Sequence, residues 1–278
     1  MTDPSQPLFL FGPGYCAQAL AELWKGPVRG TYRSEGSLNK LNSTRIEPVS
    51  VTKESDLSQA IASAHVVVSV PPSDDHCPAF QTVGKFAPST ASITYLSTTG
   101  VYGDMAGGWA MDWTPVSPQS KRAERRVLAE QCWRDASDRV RIVRLPGIYG
   151  PGRSAFDRLK TGSARRIVKA GQVFSRAHVD DIASGLDALI SQQAYGVFNL
   201  CDDLAAPPQD VVSFAAQCLK LAAPPEIQFE DADLSPMARS FYSECKRVSN
   251  ARLKAVTGWR PKYPTYRDGL SAIHAMKP

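Results

Sequence analysis

The sequence lacks the patterns of a disulfide-stapled, zinc-binding or membrane-spanning protein. Its six cysteines are scattered without a CxxC pair, so we expect reduced thiols. The chain has four histidines, and they form no metal-ligand spacing with the cysteines, so we expect no metal site. No apolar run approaches the roughly 18 residues that a membrane span needs. No basic segment precedes the short apolar run PLFLF near the start. We therefore expect a cytoplasmic protein with no membrane partner.

A large excess of charge is also missing, since 32 basic and 27 acidic residues leave a net charge of +5. Such a charge suits an anionic small molecule or a nucleic-acid backbone. No aromatic platform or known nucleic-acid-binding module accompanies it, so we expect no nucleic-acid partner. With 278 residues, of which 43% are hydrophobic, the chain can build a substantial core. The sequence leaves the oligomeric state open, with a homodimer as one alternative.

Short apolar runs alternate with helix-like segments in the first half of the chain. The runs predict six strands, in PLFLFGPG, PVRGTYR, IEPVSVT, HVVVSVPP, ASITYLSTTGVYG and RVRIVRLPGIYG. Helices are predicted over residues 15–24, 55–64, 79–86 and 118–136. Because the strands are apolar throughout, both faces of their sheet must be covered. This pattern predicts an α/β protein with a Rossmann-type, doubly wound parallel sheet.

A glycine-rich turn, FGPGYCAQAL, follows the first predicted strand and opens the first predicted helix. Gly12, Gly14 and Ala17 have the GxGxxA spacing of dinucleotide-binding turns. Gly12 permits a tight turn, Gly14 lets a diphosphate approach the backbone, and Ala17 lets the helix pack closely. The turn predicts an NAD(P) site that includes Gly12, Gly14 and Tyr15.

The end of the second predicted strand indicates which cofactor is preferred. An acidic residue there would hold the free ribose of NAD, but the chain has Arg33 and Ser34, and arginine suits the 2′-phosphate of NADP. We expect NADP to bind through Arg33 and Ser34, while Glu35 keeps NAD as the less favoured alternative. Val70 and Pro71, in the last part of the fourth predicted strand, are expected to border the same cofactor.

The pattern changes after Gly150 to shorter, more polar pieces, joined by the proline-containing segments LAAPPQD and LAAPPEIQ. We therefore expect residues 1–150 to form the NAD(P)-binding Rossmann domain. Residues 151–278 are expected to complete the sheet and to form a small C-terminal lobe for the substrate.

Further motifs follow in order: STTGVYGD, RLPGIYGPG, HVDDIASGL, VFNL and the tail VSNARLKAVTGWRPKYPTYRDGL. Together with the glycine turn they resemble the extended short-chain dehydrogenase/reductases, which include nucleotide-sugar epimerases and dehydratases. The resemblance covers nearly the whole chain and implies an NAD(P)-dependent oxidoreductase or epimerase-like enzyme. It also implies that the hydroxyl of Thr98, at the end of the fifth strand, takes part in catalysis.

The segment PVSPQSKRAERRVLAE crowds basic residues into the start of a predicted helix, with Ser117 as its expected cap and Pro118 at its first position. The resemblance implies that the family's catalytic tyrosine falls at Arg122 and its ribose-binding lysine at Arg126. Both residue types are therefore replaced. Arginine stays protonated at neutral pH and cannot relay a proton. Thr98, Arg122 and Arg126 remain the candidate catalytic positions.

The two arginines have two interpretations. Arg126 could donate hydrogen bonds to the ribose or phosphate of the cofactor, and the positive turn could attract an anionic ligand. Alternatively, Arg122 and Arg126 are ordinary surface or ion-pairing residues, with Glu130 one turn beyond Arg126.

Two departures from the family bear on the substrate. Gly147 stands where the resemblance implies an asparagine in sugar-nucleotide enzymes, and Phe174 stands where it implies an arginine. A nucleotide-sugar substrate is therefore not expected. His178 and Asp180 are predicted to brace and cap the helix that follows them.

Two functions stay open. One is an atypical NADP-dependent oxidoreductase or epimerase-like enzyme without the tyrosine and lysine. The other is a nonenzymatic NADP-binding or sensing protein. Tyr102 and Tyr149 are expected to serve packing rather than to replace the missing phenol.

Overall fold

Seven parallel strands form the central sheet, in a computed structural model that describes residues 6–73 and 76–276. Residues 1–5 lie outside the described residues. They belong to the segment from which a cytoplasmic protein is expected. In chain order the strands are β1 (Leu8–Phe11), β2 (Val28–Tyr32), β3 (Glu47–Ser50), β4 (His65–Val68), β5 (Ser92–Thr98), β6 (Trp109–Ala110), β7 (Val140–Leu145), β8 (Gly147–Tyr149), β9 (Arg166–Val168), β10 (Arg176–His178), β11 (Gly196–Asn199), β12 (Glu226–Gln228) and β13 (Arg247–Val248). The sheet order is β3-β2-β1-β4-β5-β7-β11, with each neighbouring pair parallel. The predicted Rossmann-type sheet is confirmed.

Helices cover both faces of this sheet. In chain order they are α1 (Tyr15–Leu23), α2 (Glu35–Leu41), α3 (Glu54–Ile61), α4 (Pro78–Val83), α5 (Lys121–Ala136), α6 (Ala155–Lys160), α7 (Val179–Ser191), α8 (Pro208–Cys218), α9 (Pro236–Phe241), α10 (Ala251–Thr257) and α11 (Tyr266–Ala275). One apolar cluster, with Leu10 and Leu186, joins the sheet to α1 and α7. Another, with Phe9 and Trp133, joins the opposite face to α3, α4 and α5. Within the described ranges, no helix combines the length and apolar character that a bilayer crossing requires.

The strand order changes direction between β1 and β4, which makes this point the switch of the doubly wound sheet. Ligands of such sheets bind at the carboxyl ends of the strands around the switch. The glycine turn follows β1, Val70 follows β4, and Thr98 ends β5. The topology thus gathers the predicted cofactor residues at one edge.

The second half of the chain completes the sheet and adds a small lobe. β11 pairs with β7 and supplies the seventh strand, from the segment VFNL. Outside the central sheet, β8 pairs with β10, β9 with β12, and β6 with β13. An apolar cluster that includes Phe156, Val211 and Tyr266 holds α6, α8 and α11 together. The boundary at residue 150 and the substrate role of the lobe stay predictions.

The predicted start of α5 is wrong by one turn. The helix begins at Lys121, and the Ser120 hydroxyl caps it by accepting a hydrogen bond from the Ala123 amide at 3.3 Å. The Ser117 amide donates instead to the Val101 carbonyl at 2.9 Å. Because this bond holds the segment against the turn after β5, Ser117 and the proline that follows it remain in a loop.

Two other elements differ from the sequence prediction. The sixth predicted strand divides at Pro146 into β7 and β8, because proline has no amide to donate within a ladder. The sequence did not predict α2, which Ser34 caps in a reciprocal hydrogen-bonded pair with Ser37.

Candidate cofactor-binding site

The turn after β1 is built around Gly12. Its φ of +77° lies in the left-handed region, and a Cβ there would come within 2.2 Å of Val70 Cγ2, so glycine is required. The Gly12 amide donates to Thr31 Oγ1 at 2.8 Å, and the Ser69 hydroxyl donates to the Gly12 carbonyl. These contacts fix the turn to β2 and to the end of β4.

Gly14 is the N-cap of α1, and the space around it is open. Its φ of −84° suits any residue, and outside its chain neighbours a Cβ would meet no described heavy atom closer than 3.9 Å. Among the described residues no side chain caps α1, and the first turn holds no acidic residue. The free amides at the helix start are thus available to an anion. The space, the amides and the lack of negative charge fit the diphosphate of a dinucleotide.

The residues predicted to select the cofactor lie directly after β2. Arg33 is exposed, and within the described part of the chain no ion pair engages its guanidinium group. Its backbone amide donates to Ser37 Oγ at 3.1 Å, and the neighbouring Ser34 caps α2. The structure therefore presents a charged, solvent-facing side chain at this edge, with Glu35 as the first residue of α2.

Thr98 ends β5 and is half-buried. Its Oγ1 accepts a hydrogen bond from the Gly100 amide at 3.2 Å, so the hydroxyl proton remains free to be donated. Val70 is half-buried and Pro71 is exposed after the neighbouring strand β4. Thr98, Val70 and Pro71 therefore follow adjacent strands at the same edge of the sheet as the glycine turn.

The two candidate arginines of α5 occupy different environments. Arg122 is exposed. Arg126 is 9% exposed, and its Nη1 donates to the Leu96 carbonyl at 2.7 Å and to Tyr95 Oη at 3.1 Å. Arg126 thus ties α5 to the end of β5 and is not an ordinary surface residue. Its contact with a cofactor stays a prediction.

The buried carboxylate of Glu130 anchors α5. In the sequence, Glu130 stands one turn beyond Arg126. Glu130 is fully buried, and its Oε2 accepts from Arg144 Nη2 at 2.7 Å. Its Oε1 accepts from Arg144 Nε at 3.1 Å and from Ser97 Oγ at 2.6 Å. This network joins α5 to the ends of β5 and β7, next to Thr98. The sequence contains one signal for this ion pair, Arg144 of the RLPGIYGPG motif, but the motif does not show that its partner is Glu130.

Tyr102 and Tyr149 both occupy packing positions. Tyr102 is buried and donates from Oη to Asn199 Oδ1 at 2.8 Å. Tyr149 is buried against His178, with ring centroids 5.2 Å apart. Burial raises the pKa of each phenol. Neither phenol is therefore a ready replacement for an acid/base tyrosine.

His178 and Asp180 lie at the start of α7, where His178 is the N-cap. The buried His178 Nδ1 accepts a hydrogen bond from the Asp180 amide at 3.2 Å. The adjacent Asp181 carboxylate accepts from the amides of Lys262 at 2.6 Å and Tyr263 at 3.1 Å. Burial raises the Asp181 pKa to about 6. His178 thus caps α7, as the sequence predicts, while Asp180 lies inside the helix and the unpredicted Asp181 braces α7 against the tail of the chain.

Solved structures share this fold over nearly the whole chain. A functionally unknown conserved protein from Silicibacter pomeroyi is 40% identical over 97% of this chain and 98% of its own, with a TM-score of 0.90. A human epimerase family protein solved with NADPH is 15% identical over 98% of this chain and 100% of its own, with a TM-score of 0.76. A dTDP-glucose 4,6-dehydratase from Streptomyces venezuelae, solved with NAD, is 14% identical over 97% and 96%, with a TM-score of 0.76.

A curated relative matches part of the chain. It is a 3-diazoavenalumate denitrifying reductase from Streptomyces sp, 29% identical over 143 residues. The match covers 46% of this chain and 45% of the reductase, so it spans less than half of either protein. No protein-family model matches the sequence.

The strand order and the glycine turn define an extended short-chain dehydrogenase/reductase fold, the fold of NAD(P)-dependent epimerases and dehydratases. The chain belongs to the same family as the Silicibacter pomeroyi protein. The resemblance that the motifs carry is confirmed.

Proposed function

We propose that this protein is an NADP(H)-preferring oxidoreductase that acts on an anionic small molecule. The observation that carries the proposal is the open start of α1, where Gly14 leaves room for a diphosphate beside free helix amides. A bound nicotinamide would supply or accept a hydride. The human neighbour solved with NADPH and the Streptomyces dehydratase solved with NAD support a nicotinamide dinucleotide as the cofactor.

Reduction fits this chain better than epimerisation or dehydration of a sugar. Those reactions begin with loss of a proton from a hydroxyl group, which requires a base. At the position of the family's tyrosine, the chain carries Arg122, which neither accepts nor releases a proton at neutral pH. Reduction of a carbonyl or imine also consumes a proton, but water or an acidic group of the substrate can supply it without an acid/base residue of the protein. The partial match to a reductase also favours reduction. The exposed Arg122 would attract the anionic group of the substrate. The Thr98 hydroxyl would donate a hydrogen bond to the group of the substrate that is reduced.

Removal of the Arg33 side chain should reduce the preference for NADPH over NADH. Because Arg33 is exposed where a 2′-phosphate is expected, its charge-assisted hydrogen bond is worth about 1.5–3 kcal/mol, or about 10- to 100-fold in affinity. Calorimetric titration of Arg33→Ala should show weaker NADPH binding and unchanged NADH binding. Equal affinities for both dinucleotides in the unchanged protein would remove NADP from the proposal.

The pH dependence of turnover should not depend on a group in the first turn of α5. A panel of aromatic and aliphatic acids with carbonyl, imine or diazo groups, incubated with NADPH deuterated at C4, identifies a substrate by deuterium transfer. With that substrate, Arg122→Ala should raise KM several-fold and leave the pH profile of kcat unchanged. Arg139→Ala, which removes an exposed charge at the opposite edge of the sheet, should change neither. Loss of an ionisation from the profile in Arg122→Ala would contradict the assignment.

Tight binding of NADPH with no deuterium transfer to any member of the panel would favour the alternative, a nonenzymatic NADP-binding or sensing protein. The structural basis for this alternative is the commitment of Arg126 to β5 through Leu96 and Tyr95. In that case the α5 helix would serve as support for the cofactor edge and would take no part in chemistry.

A further inference from the structure

The turn after β8 is fixed against the first residue of α1. The Arg153 amide donates to the Gly150 carbonyl at 3.0 Å, and the Gly150 amide donates to the Arg153 carbonyl at 3.2 Å. Gly152, with φ of +72°, lies inside this four-residue turn. Tyr15 Oη donates to the Pro151 carbonyl at 2.9 Å. The backbone of the turn is therefore held both internally and by α1.

Close packing limits any movement of this turn. A Cβ at Gly150 would come within 2.3 Å of Tyr15 Oη and within 2.6 Å of Val179 Cγ1. Glycine is required because the backbone passes between α1 and α7 at this point. The backbone that carries Arg153 is thus packed closely against α1 and α7.

The Arg153 side chain lies against the ring of Tyr15, the first residue of α1. Its Cζ is 5.9 Å from the centroid of the Tyr15 ring, within the range of a cation–π contact. Its charge also reaches Cys16, where it opposes the burial that raises the thiol pKa to about 11. Both residues belong to the first turn of the helix whose amides are free.

The guanidinium group of Arg153 is available to a ligand. The residue is exposed, and within the described ranges no carboxylate forms an ion pair with it. The nearby Asp157 uses Oδ2 to accept hydrogen bonds from the Ser154 amide at 2.8 Å and the Ser154 hydroxyl at 2.7 Å. The charges of Asp157 and Asp180 also act on Tyr15, but neither carboxylate forms an ion pair with Arg153. A guanidinium group without an ion-pair partner, in contact with the first residue of a helix whose amides are free, suits the two negative charges of a diphosphate.

We propose that Arg153 binds the diphosphate of the dinucleotide, together with the amides at the start of α1. This inference rests on the proposed cofactor. The sheet order separates it from the role of Arg33, because Arg33 follows β2 on one side of β1, whereas Arg153 follows β7 and β8 on the other. In this proposal Arg33 binds the 2′-phosphate on the adenosine ribose of NADP, and Arg153 binds the diphosphate that NADP and NAD share.

The test compares the affinities of NADPH and NADH in the full-length protein by calorimetry. Arg153→Ala should weaken both by the same factor, about 10- to 100-fold, the effect of one charge-assisted hydrogen bond. Arg153→Lys should recover part of this loss, because it keeps the charge without the fork of donors. Arg33→Ala should weaken NADPH alone, and the exposed Arg139→Ala should leave both affinities unchanged.

Each other outcome overturns the inference in a recognisable way. Unchanged affinities in Arg153→Ala would show that the guanidinium does not contact the cofactor. A loss confined to NADPH would place Arg153 at the 2′-phosphate instead. If the unchanged protein bound neither dinucleotide, the proposed cofactor itself would be wrong, and the assignment of Arg153 would fall with it.

Discussion

Gly14→Val should abolish dinucleotide binding while the protein remains folded. The φ of −84° and ψ of −169° at Gly14 suit valine, and the added Cβ would lie 3.9 Å from the Gly12 carbonyl oxygen and from Ser69 Oγ. The new side chain would therefore fill space that the protein leaves open for a diphosphate. We expect an affinity loss of at least about 100-fold, or about 2.8 kcal/mol, and a change in the free energy of unfolding within about 1 kcal/mol.

Gly12→Ala supplies the matched control. Gly14→Val should lose dinucleotide binding and keep its stability, whereas Gly12→Ala should lose stability. An alanine at φ +77° would be strained, and its Cβ would collide with Val70 Cγ2 at 2.2 Å. We expect the free energy of unfolding to fall by about 1–3 kcal/mol. Chemical denaturation measures the stability of both variants, and calorimetry measures NADPH binding. Tight binding by folded Gly14→Val would mean that the turn has another role.

The sheet could be predicted from the sequence because its strands are short, apolar and interrupted by recognisable turns. The tight turn could likewise be predicted from Gly12, whose positive φ only glycine adopts readily, whereas the backbone at Gly14 suits any residue and its glycine leaves open space. α2 was missed because GSLNKL carries little apolar periodicity, and its start depends on the paired hydroxyls of Ser34 and Ser37. A cap of this kind is set by local geometry that composition alone does not reveal.

The candidate site was predictable where it depends on single elements and not where it depends on contacts between distant ones. The places of Arg33 and Thr98 at strand ends could be predicted from the motifs, while their roles toward a cofactor stay predictions. The burial of Arg126 follows from its contacts with β5, 30 and 31 residues earlier in the chain. The turn at Arg153 meets Tyr15 across 136 residues, through the Pro151 carbonyl. Such contacts arise from the way strands and helices are arranged in space. The motifs indicate this arrangement but do not show which side chains meet.

Glu130→Ala should destabilise the protein more than any other substitution considered for α5. The change would leave the Arg144 side chain, which is 4% exposed, without its counter-charge. It would also remove the acceptor of the Ser97 hydroxyl. Breaking one partner of a buried ion pair costs about 3–5 kcal/mol, so we expect a loss of that size in chemical denaturation. Glu124→Ala, an exposed acidic residue in the first turn of the same helix, should lose less than about 1 kcal/mol.

A double substitution separates the loss of the ion pair from a general loss of packing. Glu130→Leu with Arg144→Met replaces both charges by apolar groups, and buried pairs replaced in this way often keep or regain stability. We expect the double variant to be more stable than Glu130→Ala by at least about 1 kcal/mol. If Glu130→Ala lost under about 1 kcal/mol, the pair would not anchor α5. Since the phosphate turn at Gly12 and Gly14 is held by other contacts, NADPH affinity of the folded Glu130 variants should stay within about threefold of that of the unchanged protein.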